Sequence, residues 1–239
     1  MRKIDLKSET AFENKKASGS DVRSSQSKFY WATSVPINEH NNNICRVING
    51  KSVLEIGCAS GKEAEIYTKY CSSYIGIDIS DIAIENAKAL KIENAIFLCV
   101  DGHKIPSENS KFDFVIVNSL LHHLDLEVTL KEIHRVLKGD GALLFREPLG
   151  TNPIFQLYRF LTPSARTNDE RPFTFSDISL MKYYFILDNV RWIGFFSILS
   201  AFVRLKSFRT LMTYLDKAMS FTPAKYIFWQ FAGSARKKP

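Results

Sequence analysis

A chain of 239 residues with 45% apolar and 24% charged side chains can bury one substantial core, which excludes a disordered tail or a disulfide-stapled mini-protein. Its four cysteines form no CxxC pair and no Cys/His cluster, so no metal site and no disulfide framework is expected, and a reducing, cytoplasmic compartment fits. The formal charge of +7 is unevenly placed: residues 1–180 carry 22 Lys and Arg against 23 Asp and Glu, whereas residues 181–239 carry 10 against 2.

Residues 1–28 are polar, with Ser18-Gly19-Ser20 and Ser24-Ser25-Gln26-Ser27 runs, and read as a loosely ordered arm or capping helix that ends at Phe29-Tyr30-Trp31. Charges throughout residues 1–16 distinguish it from a secretory signal. The expected division is an arm or cap over 1–31 and a main domain over 32–239. From Lys51 short apolar runs at 52–56, 74–77, 95–100, 112–117 and 142–145 read as buried strands. Helical spacing occupies 62–70, 81–90 and 126–137, the last with Leu126, Leu130, Ile133 and Leu137 on one face and Gly139 as its stop. This alternation predicts an α/β, doubly wound, mostly parallel sheet with helices on both faces, built on a half at 51–147.

Beyond Pro148 the pattern loosens into C-terminal additions over 148–239. A helix is expected over 152–161, started at Pro153, then an Arg-rich loop over 162–172. A Ser176-capped helix to Phe185, a strand and helix within 190–203, and a last strand over 226–235 follow. The uncharged stretch 192–203 includes Arg only beyond its end and is too short to span a bilayer, which takes roughly 20 residues. The same tail holds 16 of the 30 aromatics between Phe173 and Phe231, so a basic aromatic surface for an anionic partner is expected there, as is a solvated basic face over an aromatic core.

The sharpest local signal is Val53-Leu54-Glu55-Ile56-Gly57-Cys58-Ala59-Ser60-Gly61, a strand entering a glycine-marked turn ahead of a helix. A dinucleotide fold would want GxGxxG and a helix start open to diphosphate. Here Ala59 takes the second glycine's place, no third glycine follows in phase, and Glu63 and Glu65 make the helix start acidic. A diphosphate is disfavoured and a cationic ligand is not.

These residues resemble the first motif of the class I S-adenosylmethionine-dependent methyltransferases, an acidic residue followed by GxGxG, with Ala59 as the departure. Asp78 ends the next strand 21 residues after Gly57, Val100-Asp101-Gly102 ends the third, and Phe112-Asp113-Phe114-Val115-Ile116-Val117-Asn118 is similar to the fourth motif. Arg135-Val136-Leu137-Lys138-Gly139-Asp140-Gly141-Ala142-Leu143 is similar to the approach to the fifth strand. The resemblance, covering about 51–147, implies a seven-stranded Rossmann-like sheet with S-adenosyl-L-methionine as cofactor and S-adenosyl-L-homocysteine as product. It implies cofactor contacts from Glu55, Gly57, Cys58, Ala59 and Gly61, from Asp78 and Ile79 at the ribose, from Asp101 and Gly102 at the adenine, and from Asn118.

Methyl transfer is an in-line displacement, so the protein must align a nucleophile and remove its proton. His123, in Leu120-Leu121-His122-His123-Leu124 after the fourth strand, is the candidate base; His122 is a weaker one, and packing of a helix start is the competing reading for the pair. His103 is expected to be exposed. Arg146, Glu147, Asn152, Tyr158, Arg159 and Arg166 are candidate substrate residues at the rim and in a substrate lid. The expected activity is O-methylation of a small-molecule, glycan or lipid-linked acceptor, with the basic tail docking peripherally on an anionic membrane at its inner face. RNA is a competing acceptor, but the Asn-Pro-Pro-Tyr/Phe tetrad of base N-methyltransferases is missing after the fourth strand, so nucleic acid is disfavoured. A catalytically silent binding protein on the same fold is the other alternative, against which stand Glu55, Gly57, Gly61 and Asp78.

Overall fold

The computed structural model describes residues 5–19, 27–162 and 171–238. Helices α1 (Leu6–Ala17), α2 (Ser27–Ala32) and α3 (Ser34–Val47) precede the sheet. Strands β1 (Ser52–Ile56), β2 (Ser73–Asp78), β3 (Ala95–Cys99), β4 (Phe112–Asn118) and β5 (Leu137–Pro148) alternate with α4 (Ala64–Tyr67), α5 (Asp81–Ala89) and α6 (Leu126–Val136). Helices α7 (Pro153–Leu161) and α8 (Phe175–Tyr184) lead to β6 (Phe185–Ile193), and α9 (Lys206–Met219) lies between β6 and β7 (Gln230–Lys237). The described strands form one seven-stranded sheet in the order β3-β2-β1-β4-β5-β7-β6, parallel except for β7, which runs antiparallel to both neighbours.

Successive strand side chains point to opposite faces, and here both faces are covered, which is why the strands read as apolar runs rather than alternating ones. Leu54, Ile56, Val115, Val117, Leu143 and Phe145 enter one core with Leu130 and Ile133 of α6 and Met181 of α8. Val53, Ile116 and Leu144 enter the other with Ile44 of α3, Tyr67 of α4 and Ile84 of α5. The side-chain caps Ser80 on α5 and Asp125 on α6 each accept a backbone N–H of the first turn, fixing where those helices leave the sheet.

Several local expectations are corrected. Helix α6 ends because Leu137 pairs with Phe112 as β5 begins, and Gly139 lies inside that strand rather than stopping the helix. The expected helix over 62–70 is a single turn at α4. Helix α8 is capped by Thr174, not Ser176: the Asp177 carboxylate accepts the Thr174 N–H at 2.8 Å and its hydroxyl at 2.7 Å. The sixth strand begins at Phe185, and residues 226–227 belong to a 3₁₀ turn ahead of β7. The boundary expected at residue 31 falls within α2, whose Phe29 packs edge-on against Phe155, Phe202 and Trp229 of the C-terminal part.

Candidate active site

The strand order reverses between β1 and β4, and at their C-terminal ends a cavity of about 510 Å³ opens, the position where open α/β sheets bind ligands. The turn after β1 takes left-handed backbone at Gly57 (φ +79°), Ala59 (φ +46°) and Gly61 (φ +79°). Only glycine adopts that region without penalty, so Ala59 holds a strained backbone in the turn. The N–H groups of Gly57 and Cys58 both donate to the Ile77 carbonyl, and the Ala59 N–H donates to Asp78 Oδ2 at 2.9 Å. Asp78 also accepts the Ser80 N–H at 2.9 Å, so one carboxylate ties the β1 turn to the end of β2, and burial raises its pKa.

Glu55, Gly57, Ala59, Asp78, Ile79, Asp101, Gly102 and Asn118 all line this cavity. Cys58 and Gly61 do not: the Cys58 thiol is buried against Gly76, and Gly61 abuts Ala87 and Leu90 near α5. Those two residues shape the turn, because an added Cβ at Gly76 or Gly61 would stand about 3 Å from these neighbours. His103 is not an exposed loop residue; its Nδ1 lies 2.6 Å from the Asp101 carboxylate and its Nε2 accepts the Asp125 N–H at 2.8 Å. It thereby ties the loop after β3 to the cap of α6.

Glu55 is buried and accepts the Tyr74 hydroxyl, and desolvation pushes its pKa up to about 8. The native state therefore holds a proton that an unfolded chain gives up near pH 4.5, so this group's contribution to stability is full at low pH and is lost as pH rises through about 8. Thermal melts between pH 5 and 8 should show stability falling with pH in the wild type. Glu55→Gln, which keeps an acceptor for Tyr74, should flatten that slope; an unchanged slope would assign it to other groups.

Helix α1 forms one wall of the cavity through Leu6, Glu9, Glu13 and Lys16. It is held there by the Ser80 hydroxyl donating to Asn14 Oδ1 at 2.6 Å and by the Asn86 amide donating to the Ala17 carbonyl at 3.2 Å. Glu9, although on a polar helix, is buried, with its carboxylate 2.9 Å from Nδ1 of His123. His123 lines the cavity and His122 does not.

His122 and Glu147 serve the turn after β4. Glu147 is fully buried; its Oε1 accepts the N–H groups of Leu120 (3.0 Å) and Leu121 (2.9 Å), and its Oε2 lies 2.7 Å from His122 Nδ1. Burial pushes its pKa up to about 7. This corrects its expected substrate role: with all its contacts internal, Glu147 is a positioning residue. Glu147→Ala would strand the buried N–H of Leu121, the part-buried N–H of Leu120 and an imidazole, each buried group costing about 1–3 kcal/mol. Urea unfolding should show a loss of roughly 3 kcal/mol or more, and a loss below 1 kcal/mol would mean that the turn re-satisfies these groups in another way.

Asn152 is likewise corrected. It is buried, donates to the Ile227 carbonyl at 2.6 Å and accepts the Phe155 N–H at 3.2 Å, so it caps α7 and binds it to the turn before β7. Tyr158 and Arg159 belong to α7, and Arg159 is not a wall residue of the cavity. Arg166 and most of the expected lid, residues 163–170, lie outside the described residues. Arg146, by contrast, lines the cavity beside its register partner Asn118, with a buried Nε that has no hydrogen-bond partner among the described residues. His40 of α3 gave no signal in the sequence. It is buried, its Nε2 has no hydrogen-bond partner among the described residues, and burial together with the Arg146 and Arg191 charges lowers its pKa to about 4.

Besides Glu55, which holds its proton, the cavity wall carries five acidic residues (Glu9, Glu13, Glu63, Asp78 and Asp101) against Lys16, Lys62 and Arg146, a balance suited to a cation. The short α4 presents no extended helix N-terminus to a diphosphate. Sheet order and turn define a class I Rossmann-like cofactor fold. Residues 54–145 match the family model described as a methyltransferase domain. An uncharacterized protein of Methanocaldococcus jannaschii is 34% identical over 99 residues, 41% of this chain and 37% of that protein. The demethylmenaquinone methyltransferase of Staphylococcus aureus is 32% identical over 120 residues, 47% of this chain and 50% of the relative. Among solved structures, the methyltransferase in the Haloferax volcanii complex with the Trm112 activator superposes with a TM-score of 0.66 at 15% identity, covering 95% of this chain and 98% of that one. The likeness to the class I S-adenosylmethionine-dependent methyltransferases rests on this fold and on residues 54–145, and the matched segment spans at most half the length of these curated relatives.

The cavity fits the family's cofactor, a sulfonium that supplies an electrophilic methyl group. Asp78 would take the ribose hydroxyls, Asp101 and Gly102 would meet the adenine, and Glu55 with the β1 turn would hold the amino-acid end, all three sets being wall residues of one acidic cavity. No group of three or more His, Cys, Asp or Glu poised for a metal occurs among the described residues.

Proposed function

We propose that the chain is an S-adenosylmethionine-dependent methyltransferase, and that its acceptor is a small-molecule, glycan or lipid-linked compound methylated on oxygen. One observation supports this above the others: the acidic cavity that would hold the cofactor also includes His123 and Arg146 in its wall. A His beside a carboxylate is suited to removing the hydroxyl proton, and a guanidinium with an unpaired Nε is suited to stabilising the developing oxyanion. The Staphylococcus relative is named for a small acceptor, demethylmenaquinone, which agrees with a non-polymeric substrate. No helix among the described residues is long and apolar enough to cross a membrane, so access to a lipid-linked acceptor would be peripheral.

The division of labour proposed along the chain is a cap from the N-terminal arm, a cofactor half at 51–147, and acceptor recognition from the rest. The test is incubation with methyl-labelled cofactor and a cell extract resolved into lipid, glycan, RNA and protein fractions. Label in the lipid, glycan or free small-molecule fraction supports the proposal. Label confined to RNA or protein overturns the acceptor class, and no label anywhere, with cofactor bound, favours a silent binding protein.

A further inference from the structure

A second and larger cavity, about 840 Å³, opens among α8, β6 and α9 and shares no wall residue with the acidic cavity. Its character is opposite. Lys182, Arg191, Lys217 and Lys225 line it together with the rings of Trp192 and Tyr226. Two carboxylates face it, and both are already engaged. Glu39 pairs with Arg191 at 3.1 Å and with Lys217 at 3.2 Å, while Asp216 accepts the backbone N–H groups of Phe195, Phe196 and Ser197.

Lys182 and Lys225 therefore have no carboxylate partner among the described residues. Lys225 Nζ instead lies 5.8 Å from the Trp192 ring centroid and 5.3 Å from that of Tyr226. Ring faces attract a cation without neutralising it, so positive charge is held over an aromatic wall. Apolar surface continues to the rim, where Phe175 is 52% and Phe221 89% exposed. Unneutralised ammonium groups beside aromatic walls in a concavity of ligand size are complementary to one kind of molecule.

We propose that this cavity binds a single anionic amphiphile, its phosphate or carboxylate head on Lys182 and Lys225 and its apolar body along Trp192, Tyr226 and Phe175. The binding site does not depend on methyl transfer. A concave site fits a single molecule better than a flat bilayer does. Three basic residues of the tail are already engaged within the chain: Arg209 stacks on Trp31 at 4.6 Å and donates to the Ser34 hydroxyl at 2.9 Å, and Arg191 and Lys217 pair with Glu39.

The probe is decyl phosphate below its aggregation concentration, titrated against the full chain by calorimetry and by tryptophan fluorescence. Saturable one-to-one binding is expected, unchanged by S-adenosylhomocysteine, and about tenfold or more weaker for inorganic phosphate and for decanol, since head and body each contribute. The pair Lys182→Glu and Lys225→Glu should weaken decyl phosphate by about tenfold or more and leave S-adenosylhomocysteine affinity intact, which also shows that the variant is folded. Equal affinity for inorganic phosphate or decanol, no effect of the charge reversals, or binding to anionic vesicles without binding to the monomeric probe would each overturn the proposal.

Discussion

His123→Gln is expected to lower methyl transfer by about 10²- to 10⁴-fold, the usual contribution of a positioned general base, while cofactor affinity stays within about twofold. His123 shares the wall of the acidic cavity with Asn118 and Arg146, and the Glu9 carboxylate lies 2.9 Å from its Nδ1. That carboxylate lies on the Nδ1 side of the ring, so Nε2 is the nitrogen assigned to take the proton. Glutamine keeps much of the volume and the hydrogen-bonding capacity but cannot accept the proton. Glu9→Gln should give a smaller loss, because the ring remains and only its orientation and charge stabilisation suffer. His122→Gln would instead act through stability, since that ring is buried on Glu147. Single-turnover rates with the acceptor found by labelling check this order, and full activity in His123→Gln would reduce the His pair to packing of the turn.

Gly57→Val should abolish measurable cofactor binding and destabilise the fold. Gly57 has φ +79°, and a Cβ built there would stand 2.8 Å from Leu120 Cδ2, inside the range that real contacts avoid. A β-branched residue in left-handed backbone costs about 1–3 kcal/mol, and overpacking costs about 1–3 kcal/mol more. A shift of the Leu120 side chain relieves the overlap, but that side chain lines the cavity, so the left-handed backbone penalty and the intrusion into the site remain. Gly139→Ala is the matched control, as its Cβ would meet nothing within 4 Å. Thermal melts and calorimetry on the pair separate the two effects. Normal cofactor affinity in Gly57→Val would mean that the turn and the ligand do not approach closely.

What could be read from the sequence divides along physical lines. Strands β1 to β4 and helices α5 and α6 were legible because both faces of the sheet are covered, so apolar runs and helical spacing coincide with burial. Asp78 was legible because it ends an apolar run 21 residues after Gly57. Helix α9 was not expected as a separate element, although Phe208, Leu211, Met212 and Leu215 recur at helical spacing, and two of its three buried positions, Thr213 and Asp216, are polar. Helix α3 was hidden in the same way, with His40 and Cys45 among its buried residues. The Glu9–His123 pair joins residues 114 positions apart, and nothing local to a polar helix announces that one of its acids is buried. Glu147 and Asn152 were misassigned to substrate because a polar residue at a rim and a polar residue capping a turn look alike in one dimension; their backbone partners decide between the two.

The most direct measurement is calorimetric titration of the full chain with S-adenosylhomocysteine and, separately, with NAD, repeated on Asp78→Ala. The expected result is one S-adenosylhomocysteine per chain at micromolar affinity, about −8 kcal/mol, with no NAD binding. Asp78→Ala should lose roughly 1.5–3 kcal/mol, because a carboxylate accepting two ribose hydroxyls is replaced by a methyl group. Binding of NAD, no binding of the sulfur nucleoside, or unaltered affinity in a folded Asp78→Ala would contradict the assignment of this cavity.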